Sequence, residues 1–246
     1  MKINWHYIKM GALFTLIAFL YGFANHKNND RKITHVFVSF EKGNNLFMNF
    51  EMVNKLLIQN GATVKNKEKS VIDLHKLELS VLSHPMVESA AVFLTVEGSL
   101  KASVKQRTPI ARVINNNLSY YIDKQAEKMP LSVNYSERVM IVSGNVNERD
   151  FVDIHHLVTT ILNDVFLKKQ IIGIEKMPNN EYNLETRMGG QTINLGKVEN
   201  LKEKFKNLSS FYNKTMSDGT LAMYSSINLK YNKQVVCTKD ADYGTR

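Results

Sequence analysis

From Met10 to Asn25 the chain is uncharged and mostly apolar, and no comparable run recurs in its 246 residues. A single such element at the N-terminus reads as a membrane anchor or as a cleaved export signal. Either reading sends the rest of the chain across a membrane. The run alone is between a signal core and a full span in length. If Lys9 is tolerated by snorkelling, the segment extends from Trp5 to Asn25, about 31 Å of helix. Trp5, Tyr7 and Tyr21 would then lie near the two interfaces, where aromatic rings are favoured. Lys2 and Lys9 also make a basic leader, and Gly22-Phe23-Ala24 offers small residues for cleavage. Lys27, Arg31 and Lys32 follow the run closely, so the positive-inside rule hardly fixes orientation. A short tail before a long C-terminal part favours exporting the latter.

Beyond the run the pattern changes period several times. Val36, Val38 and Phe40 alternate with His35, Phe37 and Ser39, which predicts a strand ended by Gly43-Asn44-Asn45. Asn49 is placed to cap a helix carrying Phe50, Val53 and Leu57, closed by Gly61. Asp73 is placed to cap a second, with Leu74, Leu77 and Val81 on one face. Pro85 stops it and pushes His84 toward an extended shape. Val87 to Val96 and Leu100 to Val104 read as strands joined at Glu97-Gly98. The order over residues 33–108 is β-α-α-β-β.

Thr108-Pro109 marks a boundary, and strands dominate thereafter. Ile110 to Ile114, Tyr120 to Asp123 and Val139 to Ser143 are short runs. Asn147 then caps a helix with Phe151, Ile154, Val158, Ile161 and Val165 along one stripe. Ile171 to Met177 and Glu181 to Met188 form a hairpin around Pro178-Asn179-Asn180. Gly189-Gly190 turns into Gln191 to Leu195. A last helix carries Leu201, Phe205, Leu208 and Tyr212. Asp218-Gly219 turns into a strand from Thr220 to Tyr231, and Asn232-Lys233 into a final one, Gln234 to Thr238. Residues 240–246 are expected to fray.

Composition is that of a folded globular protein, 43% hydrophobic and 22% charged. The net charge of +9 suits anionic surfaces or acidic protein partners. Nucleic acid is not expected, because the lysines are scattered. Cys237 is the lone cysteine, so no intrachain disulfide can form.

The search for chemistry returns little. His155 and His156 are neighbours and diverge by about 100° on a helix, so they cannot chelate together. His155 is read as a satisfied core histidine. Ser39-Phe-Glu-Lys42 matches a bare S-x-x-K pattern, but that chemistry needs the serine to open a helix, whereas Ser39 ends a predicted strand. Cys237 lies in a hydrophobic strand, where a buried thiol is the usual case. Asn117-Leu-Ser119 and Asn213-Lys-Thr215 are glycosylation sequons by pattern only. No catalytic residue, cofactor or metal is expected, and the chain is not read as an enzyme.

Several stretches, taken in order, resemble the bacterial cell-division family FtsQ/DivIB. Asp73 to Ala91 is similar to the second helix, proline turn and following strand of its POTRA domain. Val104-Lys-Gln-Arg-Thr-Pro-Ile-Ala-Arg112 resembles the crossing into its β domain, and Tyr120-Tyr-Ile-Asp123 with Met129-Pro-Leu131 resembles the next segment. Glu199 to Lys204 is similar to the start of the late helix, and Tyr224 to Tyr231 with Gln234-Val-Val-Cys237 to the final hairpin. The resemblance implies an α+β chain with an N-terminal transmembrane helix, a β-α-α-β-β POTRA domain, then a strand-rich β domain with flanking helices. Its bounds are a cytoplasmic tail at 1–9, the span at 10–25, the POTRA domain at 33–108, the β domain at 109–239 and a flexible tail at 240–246. It also implies an anchor rather than a signal, with the C-terminal domains periplasmic at the division site of the inner membrane.

The function implied is a non-catalytic divisome scaffold that binds the bitopic proteins FtsB and FtsL and links recruitment to regulation of septal peptidoglycan synthesis. The alternative is a POTRA-containing binding module of an envelope transport or assembly system. The resemblance implies that the last strand takes up an FtsB segment. A final strand after a tight hairpin is an expected edge, open to strand addition. The candidate partner-binding residues are therefore Tyr231, Gln234, Val235, Val236 and Cys237, with Phe211 and Tyr212 flooring the groove. Val235 and Cys237 alternate on one face and read equally well as core. A proline at Val236 is expected to disrupt strand addition.

Overall fold

A computed structural model of the chain describes residues 5–43, 45–59, 62–115, 118–231 and 233–240. Asn44, Gly61, Asn117 and Asn232, the first four residues of the expected cytoplasmic tail, and 241–246 of the expected flexible tail lie outside the described residues. The chain divides into two compact units, one ending at Gln106 and the other starting at Arg107.

The first unit opens with helix α1, Trp5–Asn29, none of whose residues is buried. Its 25 residues span about 38 Å, more than the hydrocarbon thickness of a bilayer, and its mean hydropathy reaches 1.6. The helix continues past both ends of the apolar run, since propagating a helix by a residue is far easier than nucleating one. Lys9 is thereby one turn inside it.

After α1 come strand β1 (His35–Phe40), helix α2 (Phe50–Leu56), a two-residue hairpin of β2 (Ile58–Gln59) and β3 (Ala62–Thr63), helix α3 (Leu74–Leu82), and strands β4 (Val87–Leu94) and β5 (Ser99–Gln106). The sheet order is β1-β5-β4, with β1 parallel and β4 antiparallel to the central β5. Leu100, Ala102 and Val104 of β5 are fully buried, Val53 of α2 and Leu77 and Val81 of α3 are buried too, and α3 packs on β4. Both helix starts have the expected caps. Asn49 Oδ1 accepts from Met52 N at 2.9 Å, and Asp73 Oδ1 from Lys76 N at 3.0 Å. Pro85 occupies the second position of a turn closed by a bond from Val87 N to His84 O.

Two expectations change here. Phe50 is largely exposed and lies on the Phe40 ring instead of in the core. Val36, Val38 and Phe40 are only half-buried, because β1 is an edge strand. Gln106, at the end of β5, is 4% exposed. Its Oε1 accepts from Phe47 N and Met48 N at 3.0 and 3.1 Å, and its Nε2 donates to Met48 O, which fixes the turn leading into α2.

The second unit contains β6 (Pro109–Asn115), β7 (Leu118–Asp123), β8 (Lys128–Met129), β9 (Met140–Gly144), α4 (Phe151–Leu162), α5 (Val165–Gln170), β10 (Ile171–Met177), β11 (Glu181–Thr186), β12 (Thr192–Gly196), α6 (Leu201–Ser217), β13 (Tyr224–Asn228) and β14 (Val236–Lys239). Nine strands form one mixed sheet in the order β14-β13-β12-β11-β10-β9-β6-β7-β8. One core joins the helices to it: Ile154, Leu157, Val158 and Ile161 of α4 and Phe205 and Leu208 of α6 lie among Val113, Val142, Ile174, Leu184 and Ile193 of the strands.

The stripe expected to run through Val165 breaks at Asn163. Asp164 Oδ1 accepts from Phe166 N and Leu167 N at 2.8 and 2.9 Å, so it starts a new helix and leaves Val165 exposed. The strand expected from Thr220 to Tyr231 shortens to β13, because Leu221–Met223 form a 3-10 turn. Likewise β11 stops at Thr186 and Met188 is exposed. His155 is half-buried, its Nε2 2.8 Å from the Lys124 carbonyl. Ser39 stands within β1 and opens no helix.

Candidate functional site

The final hairpin stands at one end of the sheet. Strand β13 runs parallel to β12, and β14 returns antiparallel with Asn228 opposite Val236, Ile227 opposite Cys237 and Ser226 opposite Thr238. Among the described residues no strand pairs with the far side of β14.

The direction of its backbone groups follows from one bond. Asp240 N donates to Met223 O at 2.8 Å, and the irregularity in the pairing lies on β13, between Tyr224 and Ser226. Alternation along an antiparallel strand then turns Val236, Thr238 and Asp240 toward β13. Cys237 and Lys239 turn their N–H and C=O groups toward the open side.

The side chains alternate between faces. Val235 and Cys237 point to the helix-covered face and pack, half-buried, against the core. Partial burial pushes the Cys237 thiol above its ordinary pKa. Val236 is on the opposite face and is 43% exposed.

Helix α6 lies along this hairpin. Its stripe of Leu201, Phe205, Leu208, Tyr212 and Thr215 is buried at helical spacing. Tyr212 is 1% exposed, so it cannot floor a groove that a partner enters; it belongs to the core. Phe211 is half-buried, edge-on to Tyr224 at 5.5 Å and to Tyr212 at 6.0 Å, and so supports the start of β13. At the other end of the hairpin Tyr231 and Gln234 line a small groove with Asn200, Glu203, Lys204 and Asn207 of α6 and its approach. The structure thus brings Tyr231 and Gln234 together and places Phe211 at the opposite end of β13.

This groove is braced by two lysines. Lys204 Nζ donates to Leu195 O and Lys197 O at 2.8 and 2.9 Å, and burial holds its pKa below the usual lysine range. Lys230 pairs with Glu181 at 2.5 Å. Exposed Lys233 and Glu203 also line it, so the groove is mixed in charge, while exposed Lys239 is at the other end of the hairpin, opposite Tyr224. The contribution of Asn200 and Asn207 had no sequence signal, because it depends on how α6 crosses the hairpin.

Residues 108–238, more than half of the chain, match the family FtsQ/DivIB, C-terminal related. The chain belongs to that family. Residues 38–105 match a POTRA-like domain, so the α+β reading with a POTRA part ahead of the FtsQ/DivIB part holds. No curated protein matches. Among solved structures the chain is similar to the major extracytoplasmic domain of the trans isomer of the bacterial cell division protein DivIB from Geobacillus stearothermophilus. The identity is 8% and the TM-score 0.34, over 46% of this chain and 97% of that one.

Proposed function

We propose that the protein is a non-catalytic division scaffold that docks a strand of a bitopic FtsB-like partner onto the open edge of β14, with an FtsL-like protein in the same complex. It is held in the inner membrane by α1, with its N-terminus cytoplasmic and the parts from β1 onward periplasmic, and it links division-site recruitment to regulation of septal peptidoglycan synthesis. The observation that carries this reading is the outward-facing backbone of Cys237 and Lys239 on a strand with no outer neighbour among the described residues. Strand addition draws affinity from such main-chain groups and specificity from flanking side chains, here Tyr231, Gln234 and Val236. Lys233 and Lys239, exposed just before β14 and at its end, favour an acidic partner segment.

The strand geometry also changes which substitution tests the reading. Proline at Val236 removes an N–H directed at β13, so it damages the hairpin whether or not a partner binds. Proline at Cys237 removes an N–H directed outward. Cys237→Pro is expected to abolish co-purification of the FtsB-like partner while the thermal unfolding midpoint of the full chain stays near the parent's; Val236→Pro loses both. Undiminished capture by a folded Cys237→Pro chain would sink the interface. Secretion defects rather than filamentous cells on depletion would favour a POTRA module of an envelope transport or assembly system instead.

A further inference from the structure

Two shallow depressions of about 700 and 510 Å³ on the second unit share Leu162, Lys168 and Arg187 and so form one continuous groove. It crosses the starts of the parallel strands β6, β9 and β10 beside the end of α4 and α5. Strand β10 leads from this groove at Ile171 to Met177, which pairs with Glu181, the ion partner of Lys230. The groove is therefore at the end of the sheet opposite the Tyr231 hairpin turn.

Its composition is one-sided. The floor is apolar: Ile110, Met140 and Ile171 belong to the core beneath it, and its accessible part is half-buried Val139 and Leu162 with Ile172 and Val165 open to solvent at 43% and 75%. Lys124, Arg138, Lys168, Lys169 and Arg187 line it, all exposed, and no acidic residue does. Among the described residues none of these five side chains ends in an ion pair. Five unpaired cations around an apolar channel repel one another, and an anionic occupant would relieve that repulsion.

We propose that this groove docks an acidic amphipathic segment of a protein partner, its apolar side chains on Leu162, Val165 and Ile172 and its carboxylates against the basic rim. The concavity decides against a bilayer, since a flat headgroup surface does not follow a groove. The apolar floor decides against a plain polyanion, which would leave it wet.

The test uses the full chain in phosphatidylcholine nanodiscs and a fluorescein-labelled peptide with Glu and Leu at helical spacing. Anisotropy is expected to show saturable binding, weakened at least about tenfold by the double reversal Lys168→Glu/Arg187→Glu and also weakened by Val165→Asp. All three positions are exposed, and an unchanged thermal midpoint checks that each variant folds. Labelled polyglutamate is expected to bind more weakly and to ignore Val165→Asp. Polyglutamate binding as tightly as the peptide, or peptide binding indifferent to the double reversal, would overturn the proposal. Binding to vesicles of equimolar phosphatidylglycerol and phosphatidylcholine that is lost in the double variant, with no peptide binding, would assign the groove to the membrane. Cys237→Pro is expected to leave peptide binding unchanged, so this proposal and the strand-addition reading fail separately.

Discussion

The Arg107 guanidinium donates at 2.6 Å to the carboxylate of Asp123, whose side chain is wholly shut off from solvent. The other carboxylate oxygen, Oδ1, accepts from Gln125 N and Glu127 N at 2.9 and 2.8 Å. One buried group thus ties the entry into β6 to the turn after β7, whose ends pair as Pro109 with Asp123. Removing one partner of such a cluster leaves the others desolvated and unmet.

Asp123→Ala is therefore expected to cost about 3–5 kcal/mol of stability. Asp123→Asn keeps an acceptor for the two N–H groups but turns an amide NH2 toward the Arg107 donor, losing the charge and that one acceptor, so its cost is expected nearer about 1–3 kcal/mol. Urea unfolding of the full chain, followed by the fluorescence of a probe on the second unit, measures both. Equal losses would show that the carboxylate charge, not the pair of backbone bonds, carries the interaction.

Tyr182 gives the opposite case. It is fully buried in β11, and its hydroxyl meets no hydrogen-bond partner among the described residues. Burial, with Asp150 and Asp153 nearby, pushes its ionisation well above the ordinary tyrosine range. A buried hydroxyl without a partner costs about 1–3 kcal/mol, so Tyr182→Phe is expected to unfold at the same urea midpoint or a higher one. A loss of about 1 kcal/mol or more would mean that the hydroxyl is bonded, through water if not through protein.

These sites differ in how far the sequence could announce them. Asn49 and Asp73 were legible because a capping residue stands directly before apolar residues at helical spacing, and local chemistry decides both. The break between α4 and α5 was not, because Val165 continues the apolar stripe and only the Asp164 cap, formed in the fold, interrupts it. Tyr212 was legible in one sense and missed in another: its spacing from Leu208 and Phe205 marks the buried face, which is incompatible with contacting a partner. The edge status of β14 followed from its place after the last turn, yet the outward direction of Cys237 needed the Asp240–Met223 bond. The basic groove was illegible. Lys124, Arg138, Lys168 and Arg187 are scattered through the chain and meet only because β9 is inserted between β6 and β10.

The first unit has its own pH-sensitive point at the turn into β4. His84 Nδ1 accepts from Met86 N at 3.3 Å, which requires that nitrogen to be unprotonated, and partial burial holds the imidazole pKa below its ordinary 6.5. The unfolded chain therefore takes up this proton at a higher pH than the folded one. The stabilising contribution is complete above about pH 6.5 and is lost as pH falls through the lower folded value. His84→Asn supplies an uncharged acceptor to the same N–H and does not titrate in this range. Between pH 7.5 and 5.5 the parent chain is expected to lose urea stability relative to His84→Asn, while at pH 7.5 the two differ little. A difference between them that stays constant across that interval would show that the His84 ring does not sense the fold.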